Sequence, residues 1–300
     1  MKRVSRVVGA LSAGLLGVSI TVVAGTGAVA TAAPAIVHAP RIPNNGHGPK
    51  NTWAASNWSG YAETGTGFTG VSGTWTVPAV TASKTATQAF SSAWIGVDGF
   101  NNSNLIQTGT EEDFYNGAAH YNAWWEILPA AETPLPSSDV VAPGDTMKAS
   151  IYESTTVSGG SLRGRFRSGT QHVWVITIAD QNAAHPWTFT TQQSYNGPGT
   201  SAEWIMEAPE VGGHIATLAP YTVAPALSGA GDFDNAQVLK NTLVSSGTPP
   251  YQNAQLNYSA DSGVMIQNGV QVSTPGQPGH ANEAYNVAYG ATAPATTPTN

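Results

Sequence analysis

The chemistry available to this 300-residue chain is concentrated in carboxylates and carboxamides set among tryptophans. In Ser91-Ser92-Ala93-Trp94-Ile95-Gly96-Val97-Asp98-Gly99, Trp94 and Asp98 fall on one face of an extended strand, and Gly96 leaves space between them. In Trp124-Trp125-Glu126-Ile127 the same alternation puts Trp124 and Glu126 together. In Ala202-Glu203-Trp204-Ile205-Met206-Glu207, Glu203 and Glu207 flank Ile205 while Trp204 and Met206 point the other way. Gln107, within Leu105-Ile106-Gln107-Thr108-Gly109, has a comparable apolar setting. Taken singly, each of these residues also fits an exposed strand position or a buried, hydrogen-bonded polar group.

Other chemistries find little support. The seven histidines, at 38, 47, 120, 172, 185, 214 and 280, are scattered singly, with no pair at metal-ligand spacing and no HExxH. No metal and no cofactor is therefore expected. GxSxG and GxxxxGK are missing, and the one GxGxxG, Gly65-Thr66-Gly67-Phe68-Thr69-Gly70, leads into the alternating run 71–77 rather than a helix, so the usual serine-hydrolase, dinucleotide and phosphate motifs find no support. The chain has no cysteine, and so no disulfide, thiol nucleophile or thiolate metal site.

The elements that must position these side chains read as strands. Short alternating runs recur after Gly, Pro, Asn and Asp turns, at residues 71–77, 92–97, 121–128, 146–153, 171–179, 187–192, 202–207 and 215–218. Gln267-Asn268-Gly269-Val270 is the clearest hairpin signal, because Asn-Gly fills a tight turn. No amphipathic helix of ordinary length intervenes, so an all-β sandwich of antiparallel sheets is expected, with a barrel as the less favoured closure.

At the amino terminus, Lys2, Arg3 and Arg6 precede an apolar stretch over residues 7–24, and Ala28-Val29-Ala30 supplies the small residues of a cleavage site. Residues 1–30 are read as a signal peptide, which predicts a secreted, extracellular protein with no membrane association once the signal is removed. Residues 31–50 are Ala, Pro, Asn and Gly without lasting periodicity, a flexible leader or short propeptide. Residues 51–290 form the β-sandwich domain, and residues 291–300, rich in Pro and Thr, a disordered tail. Removing the signal leaves 8 basic against 18 acidic residues, a net charge of -10, which excludes the basic footprint of a nucleic-acid binder. Charged residues are only 10% of the chain. Such a surface loses few salt bridges on acidification, which suits an acidic working environment. A monomer is expected.

The blocks Ser56-Asn57-Trp58-Ser59-Gly60, Val71-Ser72-Gly73-Thr74-Trp75-Thr76-Val77-Pro78, Trp94-Ile95-Gly96-Val97-Asp98-Gly99, Ile106-Gln107-Thr108-Gly109, Tyr121-Asn122-Ala123-Trp124-Trp125-Glu126 and Ala202-Glu203-Trp204-Ile205, in that order, resemble the signature of the glutamic peptidases, or eqolisins, which are pepstatin-insensitive acid proteases. The resemblance implies a sandwich of two antiparallel, roughly seven-stranded sheets with a substrate groove on one concave face. It implies polypeptide substrates and production as a precursor. It also matches the family's catalytic glutamine to Gln107 and its glutamate to Glu203, with Trp58, Trp75, Asp98 and Glu126 lining or supporting the groove.

On that reading Glu203 takes a proton from water as it attacks the scissile carbonyl and later gives it to the departing amine, while the amide of Gln107 stabilises the oxyanion. Two alternatives differ in class. A glycoside hydrolase would use Glu126 and Glu203 as paired carboxylates and leave Gln107 without a task. A non-catalytic carbohydrate-binding domain would expose Trp58, Trp75, Trp124 and Trp125 as a platform.

Overall fold

Alternation of side chains along extended segments is carried through the molecule as two stacked antiparallel sheets. The computed structural model describes residues 34–45, 52–155, 172–222, 232–245, 247–256 and 260–296. The proposed signal, residues 1–30, lies outside the described residues. Pro34–Asn300 group as one compact unit.

Among the described residues the larger sheet has ten strands and the other main sheet six, so the expected sandwich holds but its sheets are unequal rather than seven-stranded each. The centre of the larger sheet runs Ala260–Gln267, Trp58–Thr64, Ser201–Glu207, Ser92–Val97, Ile106–Tyr115 and Ala118–Ile127, each hydrogen-bonded to the next. The smaller sheet places Phe68–Thr76 between Thr146–Ser154 and Phe233–Lys240, and continues from Thr146–Ser154 through Val173–Asp180 to Trp187–Ser194. Trp187–Ser194 alternates between half-buried and exposed positions, as an outer strand covered on one face should.

The core between the sheets follows from the period of two. Ala202, Trp204 and Met206 point inward from one sheet to meet Val71, Trp75, Met147, Ile151 and Ile176 from the other. The Trp204 indole donates to the carbonyl of Ser72 at 2.9 Å, so a large ring is buried without orphaning its N–H. Ser201–Glu207 and Ser92–Val97 are buried at every position, because their outer face is covered as well. That outer face carries Trp58, Trp94, Trp124, Leu105 and Ile205 in a second apolar cluster. Gly109 lies between Trp94 and Trp124 in the register, and a Cβ there would come within 2.5 Å of the Trp94 Cβ. Glycine at that position is what lets the two indoles close over the strand.

The Asn268-Gly269 hairpin is present, with φ of 51° and 76° at the two turn residues. Three expectations differ from the structure. The run 215–218 is a two-residue strand, His214–Ile215, plus a single bridge from Leu218 to Phe90. The leader expected to be flexible over 31–50 is built into the fold where it is described. Ile36–Val37 pair with Glu210–Val211, Pro43 bridges Ala55, and Ile36, His38 and Ala39 are buried. The physical reason is local: Ile36-Val37-His38 is a short apolar run whose hydrogen-bonding partners lie far along the chain. Part of the tail expected to be disordered over 291–300 also packs, since Asn286 donates to the Ala295 carbonyl at 2.8 Å.

Candidate active site

The candidate site is assembled on the outer face of the larger sheet from three strands, with Ser92–Val97 lying between the first two, and from one visiting segment. Ser201–Glu207 supplies Glu207, Ile106–Tyr115 supplies Gln107 and Glu111, and Ala118–Ile127 supplies Trp124 and Glu126. Gln107 stands directly opposite Glu126 in the register, which brings its amide Nε2 to 2.6 Å from the Glu126 Oε2. All of these side chains are buried.

The visitor is the stretch around His38. Its backbone N–H donates to Glu126 Oε2 at 3.1 Å, and its carbonyl oxygen accepts from Gln107 Nε2 at 2.9 Å. The imidazole lies flat on Trp124, with ring centroids 3.6 Å apart and planes at 4°. Its Nε2 faces Glu111 at 2.8 Å and Glu132 at 3.4 Å, and its Nδ1 faces Glu207 at 3.1 Å. Glu207 Oε2 also accepts from the Trp94 indole at 2.7 Å. One residue further on, the Ala39 carbonyl accepts from the Trp58 indole at 3.1 Å and from Asn57 Nδ2 at 3.2 Å.

The electrostatics follow from burying several acids together. Burial pushes the Glu126 carboxyl up to about 8, with His38 opposing the shift and the Glu207 charge adding to it. Burial likewise raises Glu111 to about 7 against the pull of His38. Glu207 is raised by burial and held back by its hydrogen bond and charge interaction with His38 and by the indole N–H groups of Trp94 and Trp58. For His38, burial acts to lower the imidazole pKa. The close Glu111 carboxylate and the hydrogen bonds to Glu132 and Glu207 outweigh it, so the ring is held well above its ordinary value.

Sequence reasoning pairs Gln107 with Glu203, whereas the structure joins Gln107 to Glu126 directly and to Glu207 through His38. Glu203 aligns with Gly96, and Gly96 with Gln107, but the side chains of Trp94 and Leu105 lie over Gly96 between the two. The Glu203 carboxyl lies beside Ser201 and Asp98, is pushed well up by burial with Asp98 adding, and has no hydrogen-bond partner of ordinary geometry among the described residues. Residues 203 and 207 share a face but stand about 13 Å apart along the strand, so only one of them reaches the segment around His38.

Trp58 and Glu126 both contact the segment around His38, through the Ala39 carbonyl and the His38 N–H. Trp75 instead faces the interior between the sheets, where its indole donates to Thr110 Oγ1 at 2.9 Å. Asp98 ends its strand at φ 73° and ties down a loop, accepting from Tyr195 Oη at 2.6 Å, Gly199 N at 3.0 Å and Thr200 N at 2.8 Å. The tryptophans proposed as a sugar platform do not form one: Trp58, Trp75 and Trp124 are at most 1% exposed.

Sequence reasoning missed Glu111, Glu132, Glu207 and His38. Glu207 stood in a quoted strand, and Glu111 lies four residues after Gln107 and so on its face, which is the signal that could have found it. Two clusters among the described residues have metal-ligand spacing, His38-Glu111-Glu132 and Asp145-Asp180-His185. Neither was visible as a motif, since each gathers residues from separate elements. In the first, the imidazole nitrogens are engaged by carboxylates. In the second, Asp145 accepts from Asn182 at 2.6 Å and His185 faces Asp180 at 2.8 Å.

Comparison with known proteins bears on the fold and the family. The chain is 26% identical over 245 residues to aspergillopepsin-2 of Aspergillus niger, covering 75% of this chain and 77% of that protein. The fold matches scytalido-glutamic peptidase, solved with a transition-state analogue inhibitor, at a TM-score of 0.56 and 19% identity over 78% of this chain and 98% of the other. It also matches SCP-B, an eqolisin solved with the tripeptide Ala-Ile-His, at a TM-score of 0.50 and 18% identity over the same shares of the two chains. A family model for the Peptidase A4 family matches residues 56–248, and the chain belongs to that family.

Proposed function

We propose that Gln107 and Glu207 are the working pair of this glutamic-type acid endopeptidase, with Glu126 holding the glutamine amide in position. The observation that carries the assignment is that one residue, His38, is gripped at its main-chain carbonyl by Gln107 and at its side chain by Glu207. A donor already bonded to a peptide carbonyl stands where the oxyanion of a tetrahedral intermediate needs it, and a carboxamide keeps that donor at any pH. Glu207, as carboxylate, takes a proton from the attacking water. Water oxygen bonds to the carbonyl carbon, and the C–N bond breaks as Glu207 returns the proton to the leaving nitrogen. Glu126 is neutral in acid given its raised pKa, and a neutral carboxyl retains an acceptor oxygen for the Gln107 amide.

Polypeptides are the substrates, and the tripeptide held by SCP-B supports a groove that takes extended peptide. Export belongs to the same proposal and is supported by the basic, apolar and small-residue pattern of residues 1–30. Among the described residues no helix is long and apolar enough to cross a membrane. The glycosidase alternative is not favoured, since Glu126 is committed to Gln107 and His38 while Glu203 lies away from both.

Incubating the protein with casein and with polysaccharides in acid, with and without pepstatin or a chelator, tests the proposal. Casein cleavage unaffected by either reagent is expected. Release of reducing sugar without casein cleavage, or inhibition by the chelator that added metal reverses, would overturn it.

A further inference from the structure

We infer that the groove contains a subsite selective for a histidine side chain, and that residues 36–39 of the same chain are its resident occupant. The inference rests on the groove assignment above and adds what the groove recognises.

The contacts divide by kind. Those from Gln107 and Glu126 are to the carbonyl and N–H of His38, groups that any residue offers. Those from Trp124, Glu111, Glu132 and Glu207 are to the ring. A flat slot against an indole accepts an aromatic ring, and carboxylates at both ring edges require a ring with N–H donors at both edges. Imidazolium offers that pattern on a one-carbon stem, whereas the planar guanidinium of arginine carries its donors at the end of a longer, flexible one. Phenylalanine would fill the slot and leave buried acids without a partner, while lysine offers donors at one point and no ring to stack.

The occupant is anchored on both sides of His38. Upstream, Ile36–Val37 pair with Glu210–Val211. Downstream, Ala39 is held by Trp58 and Asn57, Arg41 N–H donates to the Gly99 carbonyl at 3.0 Å, and the Arg41 guanidinium stacks 4.1 Å over Phe100. While the His38 carbonyl occupies the Gln107 amide, an external peptide cannot use that donor, so the full chain is self-occupied until the segment is displaced. The raised pKa of Glu207 agrees, because the segment helps exclude the water that a base of this kind needs.

The test uses the freshly purified full chain, its mass verified as uncut, the full-length His38→Ala variant, and two synthetic peptides, PAIVHAPR matching residues 34–41 and PAIVAAPR. The variant is expected to start hydrolysing a reporter peptide at least about tenfold faster than wild type, the equivalent of losing about 1.4 kcal/mol of self-occupancy. PAIVHAPR should inhibit the variant competitively at a concentration at least about tenfold below PAIVAAPR. At about pH 6, below the ordinary imidazole pKa, PAIVHAPR alone should change its tryptophan fluorescence. Should His38→Ala fail to fold by circular dichroism, His38→Phe keeps the stacked ring, and the two peptides are compared on that variant and on wild type. Equal onset of activity together with equal effects of the two peptides would overturn the inference. Selective binding without hydrolysis of any peptide would instead contradict the endopeptidase mechanism and leave the subsite standing, whereas hydrolysis without selectivity would do the reverse.

Discussion

The two faces of the central strand Ser201–Glu207 are equally buried and chemically opposite. Inward, Ala202, Trp204 and Met206 meet an apolar layer, and the Trp204 N–H, the polar group among their side chains, has a partner. Outward, Glu203 and Glu207 flank Ile205 at zero exposure, and burial raises both acids. The inner face holds the sheets together. The outer face keeps charge where a core would not tolerate it, and such a cluster marks a site more clearly than burial does. A second contrast runs along the outer face itself, where Glu207 belongs to the groove and Glu203 to the neighbourhood of Asp98, the residue that fixes the 195–200 loop.

The comparison is most easily broken on the inner face. Trp204→Ala removes a fully buried ring between two sheets and should cost about 3–5 kcal/mol, read as a lower midpoint in chemical denaturation. Trp94→Phe on the groove face keeps most of the volume and should cost far less stability while depriving Glu207 of its indole donor. Comparable losses from the two would contradict the division of labour between the faces.

A smaller effect separates the faces by pH. The folded pKa values of Glu126, about 8, and Glu111, about 7, lie above the ordinary carboxylate value of 4.5, so the folded state binds more protons than the unfolded chain between those limits. Stability from these groups is fully present below about pH 4.5 and is lost as pH rises through about 7 to 8. The urea midpoint should therefore fall over that interval, and Glu126→Gln should flatten part of the slope. A midpoint that rises from acid to neutral pH would show that the groove acids are not held as described.

Much of the scaffold was legible because alternation reports burial directly. The strands 92–97 and 202–207, the Asn-Gly hairpin and the apolar setting of Gln107 all follow from period-two reading. What was not legible depends on positions that share a face. Glu203 and Glu207 are equivalent to a strand pattern, and only the placement of His38 distinguishes them. Trp75 and Trp58 look alike in sequence, yet they face opposite sides of the larger sheet. The leader was missed because Ile36-Val37-His38 is too short to show a period, and its structure comes from partners at Gln107, Glu126 and Glu210–Val211.

The most direct test of the central claim compares Glu207→Gln with Glu203→Gln in folded, segment-displaced protein, by kcat/KM on a single peptide in acid. Each substitution changes a carboxyl to a carboxamide of nearly the same shape, so packing is closely matched. Glu207→Gln is expected to lower kcat/KM by at least about 10²-fold through kcat, and Glu203→Gln to change it by less than about threefold. Retained activity in Glu207→Gln with loss in Glu203→Gln would contradict the account and restore Glu203 as the partner of Gln107.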